Sequence, residues 1–399
     1  MKFSNKPHAS IVGLSIIYAL KAKKNQFKAL VQLACLWRYR LVMFTHSKFS
    51  QTKFYYFGLK AHRDMAFRLL GLDAGHAVSE GIKQRAFISQ IPIPGSIRIP
   101  HYLTSLIPLK NRSLDEILIE LDKGKRKLIN KEASDFSLQQ VTDINEVARL
   151  NQEMLMPYAS HRHGKGAYQL PWKMVMKMAL NQGALYLLLE KEREVGCVIG
   201  CDFFCNNEHC WNSIREGFPS FIFDDIPSRT KKSIIMIYLE IELALNNGYD
   251  YYDLGHSQAF AESGALHHKR TYGAKLNARG DYNFFYFRLP KHMAAKFYWE
   301  KPVFAVEGKA VVLHLGLPDG VSADEVAERY RLLNYDGLNK VHLHCDSAPS
   351  NAHTEAVEKI YSHQKSPPAL KVYVLTLTIS LSARYAYITQ GLFLEALYI

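Results

Sequence analysis

The sequence predicts a mixed α/β (α+β) protein, and three observations carry that expectation. Short apolar runs alternate with amphipathic stretches from Phe136 to Leu289. A second alternation of the same kind fills residues 310–380. No run of 18 or more apolar residues interrupts either one, so no membrane-spanning helix is expected. At 399 residues, 48% hydrophobic and 22% charged, the chain can bury a sizeable core and form two or three domains.

The turn-rich segment Ile91-Pro-Ile-Pro-Gly95 sets the first boundary. The parts are then a basic, helix-rich region over 1–95, a central domain over 96–295 and a small α/β unit over 296–399. In the first part Phe27–Met43 is apolar with interspersed Arg38 and Arg40, an amphipathic pattern. Residues 1–95 hold 15 Lys/Arg against three acids (Asp64, Asp73, Glu80), and the first 63 residues hold no acid at all. From Lys301 onward nine basic residues face ten acidic ones, so the net charge of +13 is an N-terminal property. Such an arm suits an anionic membrane surface, a polyphosphate or a nucleic acid such as tRNA; a solvated basic face without a specific partner fits equally. The ten-residue apolar run Ile11–Leu20 is followed by Lys21, Lys23 and Lys24, with no small-residue cleavage site. A cytoplasmic protein is expected, peripheral on a membrane if residues 1–63 bind lipid.

Four of the six cysteines cluster at Cys197, Cys201, Cys205 and Cys210. The spacing is not CxxC, and on a strand residues four apart lie about 13 Å from one another, too far to share a metal. Reduced thiols and no metal are the expectation.

Within the central part, Leu114–Leu128 reads as a helix capped by Asn111 or Ser113. Phe136–Val141 is a strand, and Asp143 caps a helix ending at Pro157. A loop follows over Ser160–Gly166, then a helix over 171–181. Ala184–Glu190 and Val195–Phe204 form a hairpin about Lys191-Glu-Arg-Glu194, and His209–Glu216 is a third strand. The stretch from Arg229 to Asn247 is apolar nearly all round and reads as a buried helix stopped by Gly248. Tyr249–Leu254 is a strand, Gly264–Tyr272 a short helix, and Tyr282–Leu289 a last strand.

This order resembles the GNAT acyltransferase fold, and within it the FemA/FemB-like and BioF-associated branches. Three local matches carry the resemblance: Met156-Pro-Tyr-Ala-Ser-His-Arg-His-Gly164, Gly248-Tyr-Asp-Tyr-Tyr-Asp-Leu-Gly255 and Ser263-Gly-Ala-Leu-His-His-Lys-Arg-Thr-Tyr-Gly273. The resemblance implies a GNAT-like acyltransferase domain whose central strands splay around the pantetheine arm of acyl-CoA. It places the pyrophosphate at the start of the long helix, usually on a glycine-containing loop. Phe218–Lys232 contains no glycine and offers Ser228, Arg229, Lys231 and Lys232 instead. Free N–H groups and the helix dipole favour an anion there. The missing glycines leave room for an aminoacyl-tRNA donor, as FemA/FemB-like enzymes use, or for a non-catalytic module that binds a membrane or a nucleic acid.

Acyl transfer to an amine requires a base, an oxyanion donor and an acid for the leaving group. By resemblance, backbone N–H groups near Ile214 and Arg215 would hold the oxyanion. Glu216, at the strand end, and His256, after the next strand, are base candidates, and Tyr272 stands where an acid is expected. Arg162 and His163 fall in the segment that covers the acceptor; Lys269 and Arg270 would contact a carboxylate or phosphate. Each also has a structural alternative as an exposed surface residue or a packing aromatic. The acceptor would be an amine on an amino acid, sugar or cell-envelope precursor.

In the last part, strands over 310–315, 341–345 and 370–377 alternate with helices over 323–333 and 354–364, which suggests a parallel sheet. His342, His344, Cys345 and Asp346 are expected on a solvated sheet edge rather than around a metal.

Overall fold

The computed structural model describes residues 39–44, 52–70, 84–164, 167, 169–205, 208–278, 283–362, 364 and 367–374. The basic arm up to residue 38 and the stretch 385–399 lie outside them. Strands in chain order are β1 (Tyr39–Phe44), β2 (Thr52–Leu59), β3 (Gln84–Ser89), β4 (Ile97–Pro100), β5 (Tyr102–Pro108), β6 (Phe136–Gln140), β7 (Leu185–Glu190) and β8 (Arg193–Cys205). They continue with β9 (Glu208–Gly217), β10 (Tyr251–Gln258), β11 (Lys275–Asn277), β12 (Phe284–Arg288), β13 (Val303–Glu307), β14 (Ala310–Leu317), β15 (Lys340–Cys345) and β16 (Ala369–Val374). They form three sheets, β1-β2-β3-β12-β4, β11-β5-β10-β9-β8-β7-β6 and β13-β14-β15-β16. The protein is mixed α/β.

Local chemistry explains most boundaries. Helix α1 (Lys60–Leu70) buries Ala66, Phe67, Leu69 and Leu70 against the first sheet. Ser113 and Glu116 form a capping box at α2 (Leu114–Glu120), and Asp122 accepts from Gly124 N to start α3 (Lys123–Glu132). The single helix expected over Leu114–Leu128 is therefore two, because Asp122 offers a second cap. Asp143 accepts from the amides of Asn145 and Glu146 at α4 (Ile144–Leu150). The end expected at Pro157 does not occur. A π-turn at Asn151–Leu155 puts Pro157 in the first turn of α5 (Met156–His163), where its missing N–H costs nothing. Arg162 and His163 thus ride on a helix, not a loop, and Gly164, with φ 60°, ends it.

After α6 (Trp172–Met176), the β7–β8 hairpin turns on Lys191 and Glu192, both at positive φ. A short α7 (Ser220–Phe223) leads into α8 (Ile226–Asn246), whose inner residues Ile234, Ile235, Met236, Ile237 and Ile241 pack on one face of the central sheet. Residues of α4–α6 pack on the other face through Leu185, Leu187, Cys197 and Ile199. From β6 to α9 (Gly264–Arg270) the element order is the one the GNAT resemblance implies.

Two placements differ from expectation. Tyr39–Met43, expected as helix, is strand β1, paired antiparallel with the aromatic β2. The strand at Phe284–Arg288 does not close the central sheet but pairs with β3 and β4 in the first. The neighbour of β10 on the side away from β9 is β5.

The third sheet follows the predicted alternation, with α11 (Ala323–Tyr330) and α12 (Asn351–Tyr361) connecting parallel strands. Its histidines are not on a solvated edge. β15 lies between β14 and β16, and His342 is 3% exposed, because α10 (Ala294–Glu300) covers that face. A Cβ on Gly316 would stand 1.9 Å from Ala295 O and 2.3 Å from Trp299 N, so α10 can seat on β14 only over a glycine. Gly316→Ala is expected to cost about 3 kcal/mol or more by overpacking backbone against backbone. Denaturant unfolding measures it; an unchanged midpoint would refute this seating.

Candidate active site

Strands β9 and β10 run parallel but pair only across Cys210–Asn212 and Tyr251–Asp253. Beyond those three rungs they part. Each strand has a local cause. In β9 the partners Ile199↔Arg215 and Gly200↔Ser213 leave Ile214 as an extra residue, a bulge that bends the strand. In β10 the register against β5 slips between Asp253 and His256, around Gly255 at φ 79°. A cavity of about 390 Å³ opens beside this fork, on the face away from α8. Cys201, Phe203, Asn212, Ile214, Asp253 and His256 line it, and Ser213 stands at its apex.

One carboxyl group holds the apex from the other face. Glu240 of α8 is fully buried and accepts from Trp211 Nε1 at 3.0 Å, Ser213 Oγ at 3.1 Å and Tyr252 OH at 2.8 Å. Trp211 and Tyr252 are register partners across β9 and β10, and Ser213 lies one residue past the last rung. Burial pushes the Glu240 carboxyl up to about 7, against the pull of its three donors and helped by the charge of Glu216. Gly200 permits the arrangement: a Cβ there would meet the Trp211 ring at 2.5 Å.

Further along β9, Glu216 accepts from Ser233 Oγ at 2.9 and 3.0 Å. Burial raises its carboxyl above the ordinary range, while Ser233, Arg162 and Arg229 work against that shift. Arg162 of α5 and Arg229 of α8 thus lie within electrostatic reach of this half-buried group. Tyr158 stacks edge-on against Phe218, and its phenol is raised by burial and by Glu216. Tyr272 is 1% exposed, and its OH has no hydrogen-bond partner among the described residues. Its ring lies edge-on to His268, with Lys125 Nζ 4.3 Å from the ring centre. Burial, then the cations Lys125, Arg162 and Lys269, lower His268 to about 4, so it is a neutral imidazole near pH 7.

Of the other residues singled out in the sequence, His256 is exposed at the cavity mouth, its ring tilted against Tyr102. Ile214 is exposed at the bulge, and Arg215 donates to Gln169 Oε1 at 3.4 Å. Lys269 donates to the carbonyls of Gly255 at 2.7 Å and His256 at 3.1 Å, bracing the bend of β10; burial lowers its ammonium to about 8. Arg270 turns away from the fork, to Leu332 O at 3.0 Å and His267. His163 closes α5; its side chain lies outside the described residues.

The cations at the start of α8 are already engaged. Lys231 pairs with Glu132 and, at 3.7 Å, with Glu190; Lys232 pairs with Glu190 at 3.1 Å and donates to Ser228 Oγ at 3.0 Å. Arg229 donates to Phe223 O, and Asp225 accepts from Ser228 N at 3.0 Å. Two carboxylates, Glu132 and Glu190, thus pair with Lys231 and Lys232 at this helix end, while Asp225 caps it. Among the described residues Cys197, Cys210 and Cys345 are buried free thiols and Cys201 is a half-buried one. Among the described residues no group of three His, Cys, Asp or Glu is placed to hold a metal ion.

Compared by sequence, the chain matches no protein family and no curated protein. Compared by structure, it is similar to a crystal structure of FemX, with TM-score 0.35 and 13% identity over 63% of this chain and 84% of that one. It is also similar to L-PGS from Bacillus licheniformis (TM-score 0.32, 12% identity, 65% and 87% covered). A third similarity is to Saccharomyces cerevisiae N-myristoyltransferase with bound myristoyl-CoA (TM-score 0.28, 14% identity, 62% and 64% covered). At such scores the geometry of the fork, not the likeness, has to carry a functional reading.

Sequence reasoning missed Glu240, Ser213 and Asp253. The signal for Glu240 was present: it shares a helix face with Met236, Ile237, Ile241 and Ala244, all buried. An acid on an apolar stripe demands partners.

The raised Glu240 pKa has a stability consequence. An acid held more tightly by the folded state contributes stability that is fully present below its unfolded value near 4.5 and lost as pH rises through about 7. Glu240→Gln removes that loss, its carbonyl accepting from Trp211 and its amide donating to a hydroxyl oxygen. The melting temperature of the variant relative to the parent is expected to climb between pH 5 and 8. A pH-independent difference would show that Glu240 does not titrate there.

Proposed function

We propose that the chain is an acyltransferase that passes an acyl or aminoacyl group directly to an amine at the β9–β10 fork. The observation that carries this reading is the parted parallel pair with a cavity at its apex. A thioester arm lying between two diverging strands presents its carbonyl to backbone N–H groups. The acceptor approaches from the cavity.

The amine nitrogen attacks the acyl carbon, and the bulge at Ile214 and Arg215 would supply the oxyanion contact. His256, at the cavity mouth, would take the ammonium proton; Glu216, with its raised pKa, is the other base candidate. The leaving thiolate would take its proton from Tyr272, whose hydroxyl has nothing else to donate to among the described residues. Arg162 would neutralise a carboxylate or phosphate brought to the Glu216 side, and Lys269 would hold β10 in its bent course. No nucleophilic enzyme intermediate is needed.

Acyl-CoA is the donor first favoured, with Ser228, Arg229, Lys231 and Lys232 as its phosphate contacts. The carboxylates facing those cations favour a second donor, an aminoacyl ester of tRNA, which needs no pyrophosphate site at α8. The acid-free first 63 residues would hold the chain on an anionic lipid surface or on that RNA.

The test is release of free thiol when acyl-CoA donors are mixed with pooled amines, with deacylation of aminoacyl-tRNA run in parallel. Turnover in either arm is expected, with Tyr272→Phe and His256→Ala each lowering it about 100-fold and Glu216→Gln deciding between the two bases. Heat stabilisation by CoA beyond that of phosphate at equal ionic strength marks the thioester donor. Salt-sensitive tRNA binding with no CoA effect marks the other. Turnover in neither arm sinks the enzymatic reading.

A further inference from the structure

A second cavity of about 280 Å³ lies in the seam between the central sheet and the third sheet. Leu106 lines both this cavity and the one at the fork, so the two adjoin across a single side chain of β5. Tyr251 alternates with Tyr252 along β10, so the seam opens on the face of the sheet that carries the fork cavity rather than α8.

The seam is basic. Lys275 of β11 and Lys309 of the β13–β14 turn line it, and neither makes an ion pair among the described residues. No acid is among its lining residues; of the carboxylates around it, Asp250 is engaged with Lys110 at 2.9 Å and His209 N at 2.7 Å, Glu307 with Lys340 at 2.7 Å and Glu208 with Tyr251 OH at 3.2 Å, while Asp336 adjoins the lining residue Gly337. Asn339 is fixed in orientation, because its Oδ1 accepts from Val311 N at 2.8 Å. The group it has left is a donor, its NH₂. Two ammonium groups without an ion pair among the described residues and an amide donor in a concave site favour an oxyanion.

We propose that the seam binds the phosphate or carboxylate of a substrate whose amine occupies the neighbouring fork cavity. This rests on the acyl-transfer reading for the role of the fork, but not for the anion site itself. The acceptor class is then an amine carrying an oxyanion at its far end, and Leu106 is the divider that the linking portion passes over.

Calorimetric titration of the full chain at constant ionic strength tests this, with pyrophosphate in one arm and citrate in the other. Saturable binding in at least one arm is expected, and the tighter arm tells phosphate from carboxylate. Lys275→Ala/Lys309→Ala should weaken it about tenfold or more, equivalent to about 1.4 kcal/mol. The charge-matched control Lys123→Ala/Lys127→Ala, on the exposed face of α3, should not. Asn339→Asp keeps the acceptor for Val311 N and adds a repelling charge, so it should weaken binding while the melting temperature stays close to the parent's. No saturable binding in either arm, or equal loss in the control, overturns the site. A chain that binds pyrophosphate yet transfers nothing refutes the fork reading alone; one that transfers an acyl group but binds neither anion refutes the seam alone.

Discussion

The fork depends on a single buried carboxyl group. Glu240 collects an indole N–H and two hydroxyls from β9 and β10 at the level where the strands stop pairing. A carboxylate without water is costly unless its lone pairs are met, so the three donors are required to stay where they are. Bulges in both strands start the divergence, and the staple limits it to the stretch beyond Asn212 and Asp253. Bending and clamping are thus done by different atoms, backbone on one side and side chains on the other. The cleft is held by the fold's own side chains.

The parts outside the central sheet are joined to it by hydrogen bonds as well as by packing. Leu276 N donates to Asp336 O at 2.7 Å, Arg270 donates to Leu332 O at 3.0 Å, and Tyr335 OH donates to Ala261 O at 2.8 Å. These contacts cover β11, the edge of the central sheet, which would otherwise present open backbone groups. The first sheet is tied in by the chain itself, since β12 leaves the central region to sit between β3 and β4. The third unit therefore does more than follow the central sheet in sequence. It walls one side of the seam cavity, through Lys309, Val311, Gly337 and Asn339.

Local order was legible in the sequence because its causes are local. Ser113, Asp143 and Ser322 cap helices through contacts within three residues. The third sheet's alternation of strand and helix could be read because each element carries its own period. The candidate site was legible only as far as the motif matches reached. His256 lines the fork cavity, Glu216 lies further along β9 against Ser233 and Tyr272 is buried in the core on the α8 side, whereas Arg270 of the same motif faces the third unit. Lys231 and Lys232 looked like a free basic helix end, yet Glu132 and Glu190, some 40 to 100 residues earlier, occupy them. His342 and His344 looked like edge residues because nothing nearby in sequence announces that α10 will lie over them.

The sequence by itself determined the mixed α/β class, the long buried helix, the hairpin and the position of the glycine stops, all of which follow from periodicity, caps and backbone preference over a few residues. Only the tertiary structure decided which strands become neighbours, which charges cancel and which side chains share a cavity. The physical reason is that pairing partners, ion pairs and burial are set by distances in space between segments far apart along the chain. A carboxylate such as Glu240 has a meaning only once two strands have been brought to either side of it.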